Sequence, residues 1–468
     1  MFTKGFETQH QEISIDKLPV SGTIPTWLNG SLLRNGPAQF EVGNNSYRHW
    51  FDGLAMLHRF GFDNGSVSYN NKFLRSPEYK GNHAAGKINF GTFATDPCRS
   101  IFQRVMSVFQ PGEPGHNGNV NLTKLAGQFI AMTETPLPVE FDAETLETVG
   151  VVNFDDEIGF VGSTAHPHFD PQRNAGVQHL IGYGRESTYS FAYMPNEKPL
   201  RRDVLNHIKV SEPGYVHSFG MTARYLILAE FPFVVNPLRI LLSGKPFIEN
   251  FRWKPEQGTR FLVIDKISGE LVREVQADAC FAFHHINAFE DGDDIIVDMS
   301  TYEDHQLIEQ LYLASLRGED GGTLSFPEFR RYRLPSDGSR ATFETISEYG
   351  IELPRINYRY NGQPYRYVYG GSLKRRDNFL DALVKIDTHT GHGVQWHEEG
   401  TYPGEPVFVA APDAVAEDEG VLLSVVLDGE TGNSFLLVLD AGTFEEIGRS
   451  TVPQHIPFGF HGQYFGGV

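Results

Sequence analysis

Basic residues are in short supply: 39 Lys and Arg face 59 Asp and Glu, leaving a formal net charge of −20 over 468 residues. Nothing in that balance would neutralise a phosphate backbone, so nucleic acid is excluded as a partner. The same balance disfavours attraction of the whole molecule to an anionic bilayer. Cysteine is nearly absent. Cys98 and Cys280 cannot build a disulfide framework, which suits a reducing interior. Long apolar runs are missing too: no stretch reaches the roughly 18–20 residues of a membrane-crossing helix. The opening MFTKGFETQHQEISIDKLPV carries no secretory apolar segment. These absences point to a soluble, cytoplasmic protein with no obligate protein partner evident. No linker or composition break divides residues 1–468, so one domain is expected.

Strand signals dominate what is present. Leu226–Ala229, Phe261–Ile264, Ile295–Val297, Gly420–Val426 and Phe435–Leu439 are short apolar runs, most of them flanked by acidic, Gly or Asn turns. Helical periodicity is scarce, with Gln306–Leu316 its best instance. An apolar residue, an Asp, and a Ser or Thr three positions later recur at Asp142, Asp265, Asp387 and Asp440. Each reads as a strand entering an Asp-capped turn before a second strand. A repeated hairpin in an all-β chain of this length fits a propeller, but spacings of 123, 122 and 53 residues do not give a blade count.

Four histidines sit in apolar, strand-like settings: His166, His217, His284 and His461. Glu134, Glu352 and Glu405 have similar surroundings. Histidine is the commonest transition-metal ligand, and a ligating imidazole usually donates its other N–H to a carboxylate. A metal site would need both sets to converge, yet the histidines are 51, 67 and 177 residues apart and obey no local spacing rule. By pattern alone, hydrogen-bonded core or surface histidines are the favoured reading.

Ten ordered blocks go further: LLRNGP at 32–37, WFDGLAMLHRF at 50–60, DPCRSIF at 96–102, TET at 133–135, TAHPH at 164–168, YVHSFGMT at 215–222, FHHINAFED at 283–291, ELPRIN at 352–357, YPGEPVFV at 402–409 and GFHGQYF at 459–465. Together they resemble the carotenoid cleavage oxygenase family, and within it the animal carotene-cleaving enzymes and the retinoid isomerase of the retinal pigment epithelium. The resemblance implies an all-β, seven-bladed β-propeller with helical and loop insertions capping the iron face. It implies ferrous iron held by His166, His217, His284 and His461, with Glu134, Glu352 and Glu405 orienting three of the imidazoles. His168 and His285 are expected not to bind. Four neutral imidazoles on an octahedral ion would leave two positions open.

The implied activity is that of a non-haem Fe(II) dioxygenase. It would use O2 to cleave a conjugated C=C bond of a lipophilic polyene, a carotenoid or apocarotenoid, to aldehydes that could include retinal. A stilbene-cleaving activity on phenolic substrates is the alternative within the family; those relatives carry Lys at the position of Thr133, assigned here to substrate gating. Retinyl-ester isomerohydrolysis and a non-catalytic binding propeller are further alternatives. Two acid-free apolar stretches, 98–110 and 231–248, match the family's membrane-facing insertions. Phe102, Val105, Met106, Phe109, Leu238, Leu241 and Leu242 are therefore expected to dock on a membrane surface in a peripheral, monotopic manner.

Overall fold

Each apolar run named above lies inside a strand: Tyr225–Glu230, Thr259–Asp265, Asp294–Tyr302, Gly420–Asp428 and Ser434–Asp440. The computed structural model describes residues 2–96, 115–156, 158, 162–318, 324–375 and 379–468. Their strands assemble into seven antiparallel sheets of four to six strands. These are the blades of a propeller, numbered here in chain order.

The innermost strands are short except in blade 5. Blade 2 begins at Asn121–Leu125, blade 3 at Gly162–Ser163 and His168–Asp170, and blade 4 at Gly220–Met221. Blade 5 begins at Phe281–Asp291, blade 6 at Glu352–Arg355, and blade 7 at Thr401–Pro403 and Val407–Ala410. Blade 1 is closed by both ends of the chain. Its strands Gly30–Gln39, Leu54–Asp63 and Ser66–Phe73 receive Gly462–Gly466 as the innermost member, with Ser31 opposite Phe465. In return Val20–Gly22 adds to the outer edge of blade 7, pairing Val20 with Ser450. Apolar layers lie between neighbouring blades. Val177 and Phe191 of blade 3 pack with Phe219, Leu226 and Leu262 of blade 4.

The recurring aspartates mark one joint of this architecture. Asp142, Asp265, Asp387 and Asp440 each end the third strand of a blade or directly follow it, and each accepts backbone N–H bonds two or three residues on. They belong to blades 2, 4, 6 and 7, so the two longer spacings each span two blades and the shortest spans one.

The expected helix over 306–316 forms in two pieces, Gln306–Gln310 and Leu313–Leu316. Between them Tyr312 is extended, and the backbone of Leu311 and Leu313 bonds Trp50 and Arg48 instead of continuing the helix. A tertiary strand-like contact has displaced local periodicity. This insertion of blade 5, the insertion of blade 4 with helix Pro237–Leu242, and helix Pro77–Ala85 after blade 1 all contribute walls to one cavity beside the propeller axis.

Candidate metal centre

Every blade delivers one of the seven residues. His461 precedes the innermost strand of blade 1, Glu134 follows the second strand of blade 2, and His166 lies between the two inner segments of blade 3. His217 precedes the inner strand of blade 4 and His284 lies within that of blade 5. Glu352 opens the inner strand of blade 6, and Glu405 sits between the two inner segments of blade 7. A propeller brings the ends of all its inner strands to one axis, so residues far apart in sequence meet there.

One ring nitrogen from each of the four histidines lies within 4.8 Å of the others. Nε2 of His166 and Nε2 of His217 are 2.9 Å apart, and those of His284 and His461 are 3.3 Å apart. Bonds of about 2.1 Å from imidazole to a first-row ion place neighbouring nitrogens about 3 Å apart and opposite ones about 4 Å apart. The cluster fits that geometry. On the outer side, Nδ1 of His217 bonds Glu134 at 2.7 Å, Nδ1 of His284 bonds Glu352 at 2.6 Å, and Nδ1 of His461 bonds Glu405 at 2.8 Å. A carboxylate on Nδ1 keeps the proton there and turns the Nε2 lone pair toward the axis. Protonation of the rings is further opposed by burial. It depresses His166, His217 and His461, the last to about 4, although the acids beside His217 and His461 pull the other way.

The three acids are held differently. Glu405 is buried and accepts from Nε of Arg355 at 2.7 Å and the backbone N–H of Gly462 at 2.8 Å, with Arg34 at 3.6 Å. Burial alone would raise its carboxyl, but Arg355, His461 and Arg34 outweigh it and keep the group ionised. Glu352 accepts from the Tyr302 hydroxyl at 3.0 Å and from the N–H of Leu353. Leu353 takes φ of +50°, a conformation costing a non-glycine residue about 1–3 kcal/mol. Here too burial raises the carboxyl and His284 outweighs it. Glu134 accepts from the Tyr215 hydroxyl at 2.9 Å. Two of the acids thus lack an arginine and leave negative charge facing the rings, which a divalent cation would complement.

Arg34, Arg355, Tyr215 and Tyr302 were not singled out from sequence. The first three lie inside the blocks LLRNGP, ELPRIN and YVHSFGMT, which was the available signal; Tyr302 lies in none.

The neighbouring histidines point elsewhere. Alternate residues of a strand face opposite sides, and His285 bonds the Ser218 hydroxyl at 2.9 Å. The strand is bulged on both sides of His285, which re-aims the pair. His168 bonds Tyr358 and the carbonyl of Phe219.

A cavity of about 1150 Å³ opens onto the rings, with His217, His284, His461, Phe283, Phe460 and Phe51 among its walls. Thr133 also lines it. Of the residues expected to dock on a membrane, Phe102, Val105, Met106 and Phe109 lie outside the described residues, as does the side chain of Leu241. Leu238 and Leu242 are 61% and 80% exposed on helix Pro237–Leu242, and Leu238 also lines the cavity. The preceding Phe233, Val234 and Val235 of the same acid-free stretch are buried instead, so that stretch divides into core and surface. No described helix is long and apolar enough to cross a membrane.

A seven-bladed propeller closed around four converging imidazoles, three of them braced by carboxylates, defines a class of axial-site metalloproteins. Comparison with known proteins narrows that class. Residues 6–466 match the family model described as retinal pigment epithelial membrane protein. The chain is 37% identical to a mitochondrial carotenoid-cleaving dioxygenase of Mustela putorius furo, covering 95% of this chain and 93% of that one. It is 34% identical to the β,β-carotene 15,15′-dioxygenase of Gallus gallus, over 96% and 95%. Cobalt-substituted Synechocystis apocarotenoid oxygenase superposes with a TM-score of 0.88 at 26% identity, over 99% and 98% of the two chains. The chain belongs to the carotenoid cleavage oxygenase family.

Proposed function

We propose that this protein is a non-haem Fe(II) dioxygenase that cleaves a conjugated C=C bond of a carotenoid or apocarotenoid with O2, giving two aldehydes. The observation that carries this reading is the four-histidine cluster, braced by acids and opening onto a large cavity with aromatic walls. His166, His217, His284 and His461 would hold the iron, and Glu134, Glu352 and Glu405 would fix three of the rings. Bound there, iron(II) supplies the capacity to activate dioxygen. The chain supplies the rest. The four neutral rings would hold the ion without a charged ligand, the cavity would bury the polyene, and its aromatic walls would exclude water and set which bond lies over the rings. Thr133 offers a phenolic substrate no cation, which supports a polyene over a stilbene.

Substrate entry is assigned to a membrane surface, with Leu238 and Leu242 as the exposed apolar contacts and the cavity opening beside them. Relatives named as mitochondrial make the compartment a separate matter from that docking. A central cut releasing retinal is the specific reading put to test. Iron-loaded protein is incubated with β-carotene, an apocarotenal and a hydroxystilbene, following oxygen consumption and aldehyde masses. Paired aldehydes from a polyene are expected, with retinal from β-carotene. Iron binding without oxygen consumption on either polyene would overturn the enzymatic reading.

A further inference from the structure

Several polar side chains in the cavity wall are already satisfied. Asp52 accepts from Thr92, Thr95 and the N–H groups of Ala94 and His49, while Asn117 bonds the backbone of Ala55 and Gly53. Glu78, on helix Pro77–Ala85, is different. It is 2% exposed, lines the cavity, and uses only Oε1, which accepts from the Tyr47 hydroxyl at 3.0 Å. Oε2 has no hydrogen-bond partner among the described residues and packs against Gly115, where a Cβ would come within 2.7 Å of it. Gly115 lines the same cavity.

The direction of the chain behind Glu78 is set. Asn82 donates its Nδ2–H to the Tyr47 oxygen at 2.8 Å, so the Tyr47 proton goes to Oε1 of Glu78. Oε1 is thereby the carbonyl-like oxygen, and a proton on the carboxyl belongs on Oε2. Burial, with Asp52 adding to it and Tyr47 opposing it, raises the group to about 8, so it is largely un-ionised at neutral pH. A buried acid whose O–H has no partner among the described residues and which lines an apolar cavity is a single directed donor. Its bonded partner is Tyr47, which is in turn held by Asn82, rather than any histidine of the cluster.

We infer that Glu78 is a specificity-determining residue: as a carboxylic acid it donates through Oε2 to a carbonyl or hydroxyl oxygen on one end of the polyene, so oxygen-bearing end groups are preferred over bare hydrocarbon ones. This rests on the cavity being the polyene site. A substrate without that oxygen leaves the donor unpaired in a dry site, and that penalty is what discriminates.

The test separates the two readings by using metal-free protein. Binding of a polyene with unsubstituted end rings, and of the same polyene with a ring ketone, is followed by quenching of tryptophan fluorescence, Trp50 being in the cavity wall. Wild type is expected to prefer the ketone about tenfold, the value of one hydrogen bond of ordinary strength. Glu78→Leu should abolish the preference by weakening only the ketone, and Glu78→Gln, which keeps a donor, should largely retain it. Equal affinities in wild type, or equal losses for both ligands in Glu78→Leu, would overturn the anchor while leaving the polyene site intact. Binding of neither ligand would sink the site reading itself. Should Glu78→Leu not fold, difference infrared spectra of wild type decide. The carboxylic-acid carbonyl band that is absent in Glu78→Gln must shift on binding the ketone and not the hydrocarbon. A band that stays still, or no such band, overturns the proposal.

Discussion

At the scale of single residues, His284 and Glu352 offer a graded pair. His284→Ala removes a ring nitrogen from the centre, and iron content measured after metal loading is expected to collapse. Glu352→Gln keeps the shape but loses the charge beside Nδ1 of His284. Metal affinity or turnover should then fall about 10–100-fold without vanishing. Full iron occupancy in His284→Ala would show that this ring is not a ligand. Glu78 gives a pH dependence of opposite sign to the usual carboxylate. Its pKa is raised from 4.5 to about 8 on folding, so the folded state binds the extra proton and Glu78 destabilises the fold progressively as pH rises through that window. Glu78→Gln is therefore expected to gain on wild type in denaturant midpoint between pH 5 and about 8, and a constant difference would refute the assignment. The residue types at the centre were visible in the chain, because buried-looking His and Glu in strand-like surroundings are rare. Their supports were less so. Tyr302 holds Glu352 through a hydroxyl at 3.0 Å, yet a tyrosine at the end of a strand has no local feature that marks it.

At the scale of elements, the innermost strand Gly462–Gly466 and His461 of the four-histidine cluster lie in one short segment. Deleting residues 459–468 removes one of the proposed ligands and opens blade 1, exposing the inner edge of Gly30–Gln39. Loss of metal binding together with a lower, broadened thermal transition is expected. A truncated protein that melts like wild type would show the closure to be dispensable. Helix Pro237–Leu242 exposes Leu238 and Leu242 while Ile240 packs against the core, so Leu238→Asp with Leu242→Asp should cut sedimentation with liposomes while iron content stays unchanged. Unaltered liposome binding would return that helix to a structural role. Strands were the legible elements, since each apolar run is bounded by turn chemistry that acts locally. The split of 306–316 into two helices was not legible, because it depends on Trp50 and Arg48 claiming the backbone between them.

At the scale of the whole molecule, a net charge of −20 opposes approach to anionic lipid even though Arg239 lies within helix Pro237–Leu242 and Lys245 just after it. Sedimentation with zwitterionic vesicles at low salt should exceed that with anionic ones, and the gap should narrow as salt screens the repulsion. Stronger binding to anionic vesicles would mean that the local cations govern docking. The chain by itself determined the all-β character, the turn chemistry and the inventory of ligands and acids, since these follow from side-chain type and from periodicity over a few residues. Its ten blocks, through family resemblance, also announced the propeller. The same resemblance named the seven side chains expected to meet; only the tertiary structure decided that Arg34 and Arg355 secure one acid while tyrosines secure the others, and that Glu78 lines the cavity with an Oε2 that has no partner among the described residues. Such convergence arises from closing seven blades around an axis, and distance in space there bears no relation to distance along the chain.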